Sequence, residues 1–114
     1  MKSICRGDVY YANLGSIVGS EQGGNRPVVI VQNDIGNRYS PTVIVVPLTT
    51  QTDKSKLPTH VKVNGTPHSK SSLALCEQIK TIDKKRLGGY VGKINSEQMT
   101  RVNKGIGISV GIPY

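Results

Sequence analysis

The chain has no tryptophan and no phenylalanine, and five tyrosines are its whole aromatic complement over 114 residues. The stacking platforms of many single-strand binders are therefore nearly absent, and the core has to be built from Val, Ile and Leu. Cysteine is as scarce: Cys5 and Cys76 lie far apart without C-x-x-C spacing, and with only His60 and His68 beside them there is no zinc set. The seven acidic residues never come closer than six positions, which disfavours the clustered carboxylates of a two-metal nuclease. GxGxxG, P-loop and nucleophile-elbow motifs are all missing. No run reaches 18 apolar residues, so no membrane span is expected. The start, MKSICRGDVYY, lacks an apolar signal core, so the expected location is cytoplasmic. There a Cys5–Cys76 disulfide is not expected, and Cys76 reads as a core thiol.

What the sequence has in excess is positive charge. Fifteen Lys and Arg against seven Asp and Glu give +8, and the excess is all on one side. Residues 1–53 hold four basic and four acidic residues; residues 54–104 hold eleven basic against Glu77, Asp83 and Glu97. So one-sided a distribution favours a polyanionic partner over a merely solvated surface. At this length one compact domain over 1–114 is expected.

Short β-branched runs bounded by turn residues predict strands over residues 8–14 (DVYYANL), 27–32 (PVVIVQ), 42–49 (TVIVVPLT), 59–63 (THVKV) and 73–79 (LALCEQI), with a weaker sixth over 90–94. The fourth alternates, Val61 and Val63 on one face and His60, Lys62 and Asn64 on the other, as a half-buried antiparallel strand does. Residues 81–87 (TIDKKRL) read as a helical turn. Only the end reads as a helix, over 96–105: Asn95 or Ser96 caps it, Gln98 completes a capping box, and Met99, Val102 and Ile106 share a face. Beyond that, Gly105, Gly107 and Gly111 each cost about 1 kcal/mol in a helix. Five or six short strands and a late helix predict a small, mostly antiparallel barrel or half-barrel, since closure removes exposed edges. Function is expected in the connecting loops 15–25, 34–41, 50–57 and 64–72.

Few polar side chains are enough for one chemistry. In RNA the 2′-hydroxyl can attack the neighbouring phosphate, so a protein need only align the two, assist proton transfer and neutralise developing charge. No metal or cofactor is required. Neither histidine has a carboxylate close by in sequence, and ordinary structural roles suit both better. Arg26 follows the turn residues Gly23, Gly24 and Asn25 and precedes Pro27, which favours an extended backbone at the mouth of a strand. A guanidinium there can grip a phosphate through two parallel hydrogen bonds. Thr49 lies two residues after Pro47, which should bend or bulge its strand.

The segments RGDVYYANL (6–14), GSEQGGNRPVVIVQNDIGNRYSPTVIVVPLT (19–49), KLPTH (56–60) and CEQIKTIDKKRL (76–87) together resemble the MazF/PemK family of toxin endoribonucleases from toxin–antitoxin systems, over nearly the whole chain. The resemblance implies a mainly β fold with a C-terminal helix, a small SH3-like barrel of the MazF/PemK/CcdB type. It implies a homodimer that cuts single-stranded mRNA at short sequences without metal, leaving a 2′,3′-cyclic phosphate and a 5′-hydroxyl. It also implies an acidic, MazE-like antitoxin as partner. The family's GG-x-RP arginine falls on Arg26 and its catalytic threonine on Thr49. RNA contacts fall on Ser20, Glu21 and Gln22 of the first long loop, on Asn33, Thr50, Lys56 and Leu57, and on the Glu77–Gln78 pair of a later strand, with Lys54, Lys56 and Lys80 on phosphates. Two other readings stand beside this one: a non-catalytic toxin of the same fold that poisons DNA gyrase, and a plain nucleic-acid-binding barrel.

Overall fold

The computed structural model describes residues 3–16, 18–50, 57–64 and 71–113. Within them the order is β1 (Asp8–Asn13), β2 (Asn25–Ile30), α1 (Asp34–Tyr39), β3 (Thr42–Thr49), β4 (His60–Val63), β5 (Ser72–Leu75), a 3₁₀ turn at Cys76–Gln78, β6 (Lys80–Asp83), a 3₁₀ turn at Lys84–Arg86, β7 (Leu87–Lys93) and α2 (Ser96–Val110). The strands form one sheet in the order β4-β5-β3-β2-β1-β7, with β6 also on β3, and every pairing is antiparallel. The mainly β architecture with a C-terminal helix is as expected. Of barrel and half-barrel it is the open form: among the described residues β4 and β7 remain the ends of the sheet.

The reason lies in β3. One side of it pairs with β2. The other side pairs with β6 up to Val45 and with β5 from Leu48 onward. Val46 and Pro47 fall in the gap between those two partners, and a proline, having no N–H to offer a ladder, suits such a break. The sheet divides at this point instead of curling shut.

Alternation along β2 and β3 sorts their apolar residues onto two faces. Val29, Val31, Val46 and Leu48 join Val9, Val61, Val63, Ala74, Cys76 and Val102 in one cluster, and Met99 and Ile106 of α2 pack against it. Val28, Ile30, Val43 and Val45 join Tyr10, Ala12, Leu14 and Ile82 in the other. Both faces of the central strands are thus covered, which is why PVVIV and TVIVVPL read as continuous apolar runs.

Four expectations need correction. Residues 34–41 are not all loop: α1 forms there, although it is too short for an apolar repeat and leaves Ile35 and Tyr39 exposed. Local bonds hold it, with Asn33 Oδ1 accepting from Gly36 N–H at 2.8 Å and buried Asn37 donating Nδ2–H to Gln32 O at 2.9 Å. The fifth strand stops at Leu75, because Cys76 N–H turns to Thr59 O (3.1 Å) and a 3₁₀ turn follows. The helical turn over 81–87 is confined to Lys84–Arg86; Thr81 to Asp83 belong to β6, and β7 begins already at Leu87. Finally, α2 starts at the expected cap, Asn95 Oδ1 accepting from Gln98 N–H at 2.8 Å, but runs five residues past Gly105. Gly105 and Gly107 are buried, and a Cβ on Gly105 would lie 2.8 Å from Cys76 Sγ. The propensity penalty is outweighed by the close approach of helix to sheet that glycine allows. Gly111, at φ +74°, ends the helix.

Candidate functional site

The loop between β1 and β2 is closed at its neck by Gly24 N–H to Gly15 O (2.7 Å) and Leu14 N–H to Gly24 O (2.9 Å). Gly24 holds φ +71°, a conformation that costs a Cβ-bearing residue. Immediately after it Arg26, half-buried in β2, donates Nε–H to Gly23 O at 2.9 Å. That bond fixes the plane of the guanidinium, and among the described residues the two terminal nitrogens, the prongs of the fork, have no hydrogen-bond partner.

Register places Arg26 relative to Thr49. β2 and β3 pair Val28 with Pro47, Val29 with Val46 and Ile30 with Val45. Continued by one pleat repeat, that register sets Arg26 opposite Thr49, and alternation puts both on the face that carries Val28 and Pro47. Lys80, opposite Val45 on β6, shares this face, which is the one turned away from α2. Thr49 is buried, at 4 % exposure.

Beside these strand ends lies a cleft of about 410 Å³. Ser20, Glu21 and Gln22 line it from the loop, Glu77, Gln78 and Lys80 from the far end of the chain, and Pro47 and Ile79 supply apolar wall. Gln78 joins the two sides: its Oε1 accepts from Gln22 N–H at 2.7 Å and its Nε2 donates to Ser20 O at 3.3 Å. Its amide therefore positions the loop. Gln22 is itself buried, and its Oε1 has no hydrogen-bond partner among the described residues.

Glu77 is held on both carboxylate oxygens. Thr59 Oγ1 donates to Oε1 at 2.8 Å, and His60 Nε2 lies 3.0 Å from Oε2. Burial works against the charge on Glu77, but the bonds from Thr59, its own backbone and His60 outweigh it and hold the carboxyl below its ordinary range. Proximity in sequence gave no sign of the His60 pairing, since seventeen positions separate the two residues; only the antiparallel register of β4 and β5, His60 opposite Leu75, brings them together. On the other side of His60 a second groove, about 480 Å³, runs between β4 and α2, with Lys62, Arg101 and Lys104 along it.

The remaining expected contacts are more scattered. Asn33 caps α1. Thr50 is exposed directly after Thr49, and Leu57 is exposed before the turn that His60 N–H closes onto Leu57 O at 2.9 Å. Lys54 and Lys56 lie outside the described residues, as does His68. Glu77 and Gln78 sit on a 3₁₀ turn and not on a strand. Among the described residues no three His, Cys, Asp or Glu side chains gather as a metal would require. No described helix is long and apolar enough to cross a membrane.

The chain matches the model of the PemK-like, MazF-like toxins of type II toxin–antitoxin systems over residues 5–110. It is 50 % identical over 111 residues to Endoribonuclease EndoA of Bacillus subtilis (strain 168), covering 96 % of each chain. Its backbone superimposes on an endoribonuclease solved in complex with its cognate antitoxin from a mycobacterial species, with a TM-score of 0.76 and 29 % identity over 100 % of this chain and 99 % of that one. A crystal structure of MazF from Deinococcus radiodurans has the same fold, with a TM-score of 0.83 at 18 % identity, covering 98 % and 100 % of the two chains.

Proposed function

The chain belongs to the PemK-like, MazF-like toxins of type II toxin–antitoxin systems and is an endoribonuclease, and we propose that it cuts single-stranded mRNA at a short sequence, without a metal, through the substrate's own 2′-hydroxyl. The 2′-oxygen attacks the adjacent phosphorus in line, its proton leaves to a base, and the P–O5′ bond breaks as O5′ takes up a proton. A 2′,3′-cyclic phosphate and a 5′-hydroxyl result.

Arg26 and Thr49 carry the chemistry in this reading. The terminal nitrogens of Arg26, aimed by the Nε–H bond to Gly23 O, neutralise the non-bridging phosphate oxygens as charge builds on them. The Thr49 hydroxyl donates to the same oxygens. A guanidinium in a protein stays charged and has no lone pair to offer, so Arg26 stabilises charge through hydrogen bonds and does not take the 2′ proton. Ser20, Glu21, Gln22, Glu77 and Gln78 line the path of the unpaired bases, whose edges are read by polar side chains, and Lys80 holds backbone phosphate. Lys54, Lys56, Asn33, Thr50 and Leu57 extend that contact. The protein works as a single-domain homodimer in the cytoplasm. An acidic, MazE-like antitoxin restrains it by ordering a flexible segment over the same surface.

The observation that carries this reading is the cleft itself. It gathers residues from 20–22 and from 77–80 beside the strand ends that hold Arg26 and Thr49. Incubation with a long RNA in EDTA, followed by mapping of the new 5′ ends, tests it: cuts at one recurring short sequence are expected, and no cutting overturns it. Arg26→Ala should lower the rate by about a hundredfold or more while the fold is kept. A single 2′-deoxy nucleotide at the cut site should block cleavage there; normal cutting of that substrate rules out transesterification.

A further inference from the structure

The wall between the two grooves is one side-chain cluster. Glu77 faces the cleft, His60 faces the groove between β4 and α2, and Thr59 lies beneath. The His60 side chain is 8 % exposed and its Nδ1 is buried with no partner among the described residues. Its one polar contact among the described residues is the 3.0 Å approach of Nε2 to Glu77 Oε2. A carboxylate can only accept, so Nε2 carries the proton and donates it. Thr59 and His60 cannot drift: His60 N–H closes a turn onto Leu57 O at 2.9 Å, Cys76 N–H donates to Thr59 O at 3.1 Å, and His60 pairs with Leu75 across the β4–β5 ladder. Backbone bonds on both sides thus fix the two donors before any ligand arrives.

We propose that His60 is a positioning residue for RNA selection: together with Thr59 it holds the Glu77 carboxylate in one orientation, as an acceptor, in the wall of the RNA cleft. The inference rests on the reading of the cleft as the RNA site. Thr59 Oγ1, His60 Nε2 and the backbone of Glu77 itself occupy three of the carboxylate's four lone pairs, and the fourth is kept for the ligand. A carboxylate so fixed accepts from a base edge that donates and repels one that presents only acceptors, which is discrimination at a single nucleotide position. Without the clamp Glu77 retains its charge but rotates freely, and the direction of its lone pairs is lost. The scissile phosphate is handled at Arg26 and Thr49, so loss of the clamp falls on binding and selection and not on the chemical step.

The test compares wild type, His60→Leu, His60→Gln and Thr59→Val on RNAs randomised around the mapped cut. Thermal unfolding is recorded for each variant. His60→Leu removes the donor and should raise KM by about tenfold with kcat nearly unchanged, and relax the preference at one nucleotide position. Thr59→Val, which keeps the shape, should do the same. His60→Gln, whose amide nitrogen can stand where Nε2 stands, should recover most of the affinity and the preference. In a Glu77→Ala background His60→Leu or Thr59→Val should cost less than about twofold more, since the acceptor they hold is gone. Unchanged KM and preference in folded His60→Leu or Thr59→Val overturns the inference, and so does an effect confined to kcat or full additivity with Glu77→Ala. If His60→Leu fails to fold, Thr59→Val, alone and in the Glu77→Ala background, decides the matter. Absence of cutting by wild type is a separate outcome, which removes the RNA reading and this inference with it.

Discussion

Gly105 sets the distance between α2 and the sheet. A Cβ there would meet Cys76 Sγ at 2.8 Å, Val61 Cγ2 at 3.1 Å and Cys76 Cβ at 3.2 Å, so neighbours on two elements would have to give way. Alanine gains about 1 kcal/mol in helix propensity, but overpacking of a tight core costs about 1–3 kcal/mol. Gly105→Ala is therefore expected to destabilise the fold in urea titration, whereas Gly89→Ala, with nothing within 4 Å of its added Cβ, should not. The same packing makes Cys76 inert. Burial first, and the charge of Glu77 second, push its thiol up to about 12, and its Sγ lies 3.7 Å from Val102 O. At pH 8 it is protonated and enclosed. Iodoacetamide should modify the half-exposed Cys5 and spare Cys76 until the protein unfolds; equal labelling of both in the native state would contradict the packing described.

At the scale of elements, one carboxylate ties α1 to the segment before β1. Asp34 Oδ1 accepts from Arg6 N–H at 2.7 Å and from Asn37 Nδ2–H at 3.1 Å. These bonds, the one from the Arg6 backbone first, hold the Asp34 carboxyl below its ordinary value. A group whose folded value is depressed contributes stability that is complete above its unfolded pKa, near 4, and is lost as pH falls through the lower folded value. The protection factor of the Arg6 amide, its exchange rate set against the intrinsic rate at the same pH, should therefore fall on acidification below about pH 4. In Asp34→Asn, which keeps the acceptor oxygen but does not titrate, that dependence should vanish; an unchanged pH profile would show that Asp34 is not its source. Elements with a strong repeat or cap were legible without coordinates. The eight residues of β3 were read with the right bounds, β4 by its Val61 and Val63 alternation, and the start of α2 by Asn95 and Gln98. What sequence reading missed was held by tertiary contacts or by side chains acting on their own backbone. α1 has no apolar stripe, and its one available signal was Asn33 as a cap three residues before Gly36. The strand read over 73–79 is apolar enough to continue, yet it turns at Cys76 because Thr59 O and Gly105 approach it there. The Thr59–His60–Glu77 cluster was invisible for the same reason: its parts are neighbours only through the ladder of β4 and β5. Arg26 and Thr49 are singled out by the resemblance to the family's motifs, the proline beside or near each adding only a reason for the local backbone.

For the whole molecule the question is where the excess of eight positive charges acts. The strand ends that hold Arg26 and Thr49 come from the half of the sequence that is balanced in charge, so the chemistry proposed for them draws nothing from the basic half. The basic half supplies Lys80 in the cleft, Lys62, Arg101 and Lys104 along the groove beside α2, and Lys84, Lys85 and Arg86 on the second 3₁₀ turn. These last are partly spent on the fold: Lys84 Nζ donates to Asn37 O, and Arg86 Nη1 to Asn13 O at 3.3 Å. Structural ties of that kind release no counterions from RNA, whereas a lysine seated on a phosphate does. RNA affinity, measured with a 2′-deoxy substrate analogue that is bound but not cut, should fall linearly with log salt, with a slope of about 0.7 per phosphate contact. Lys80→Gln should shallow that slope by about 0.7 and weaken binding alike for all sequences, because a phosphate contact carries no base information. Lys84→Gln should leave the slope unchanged and lower the melting temperature instead. If Lys80→Gln alters sequence preference and leaves the slope unchanged, Lys80 reads bases, and the backbone must be held by other members of the basic half.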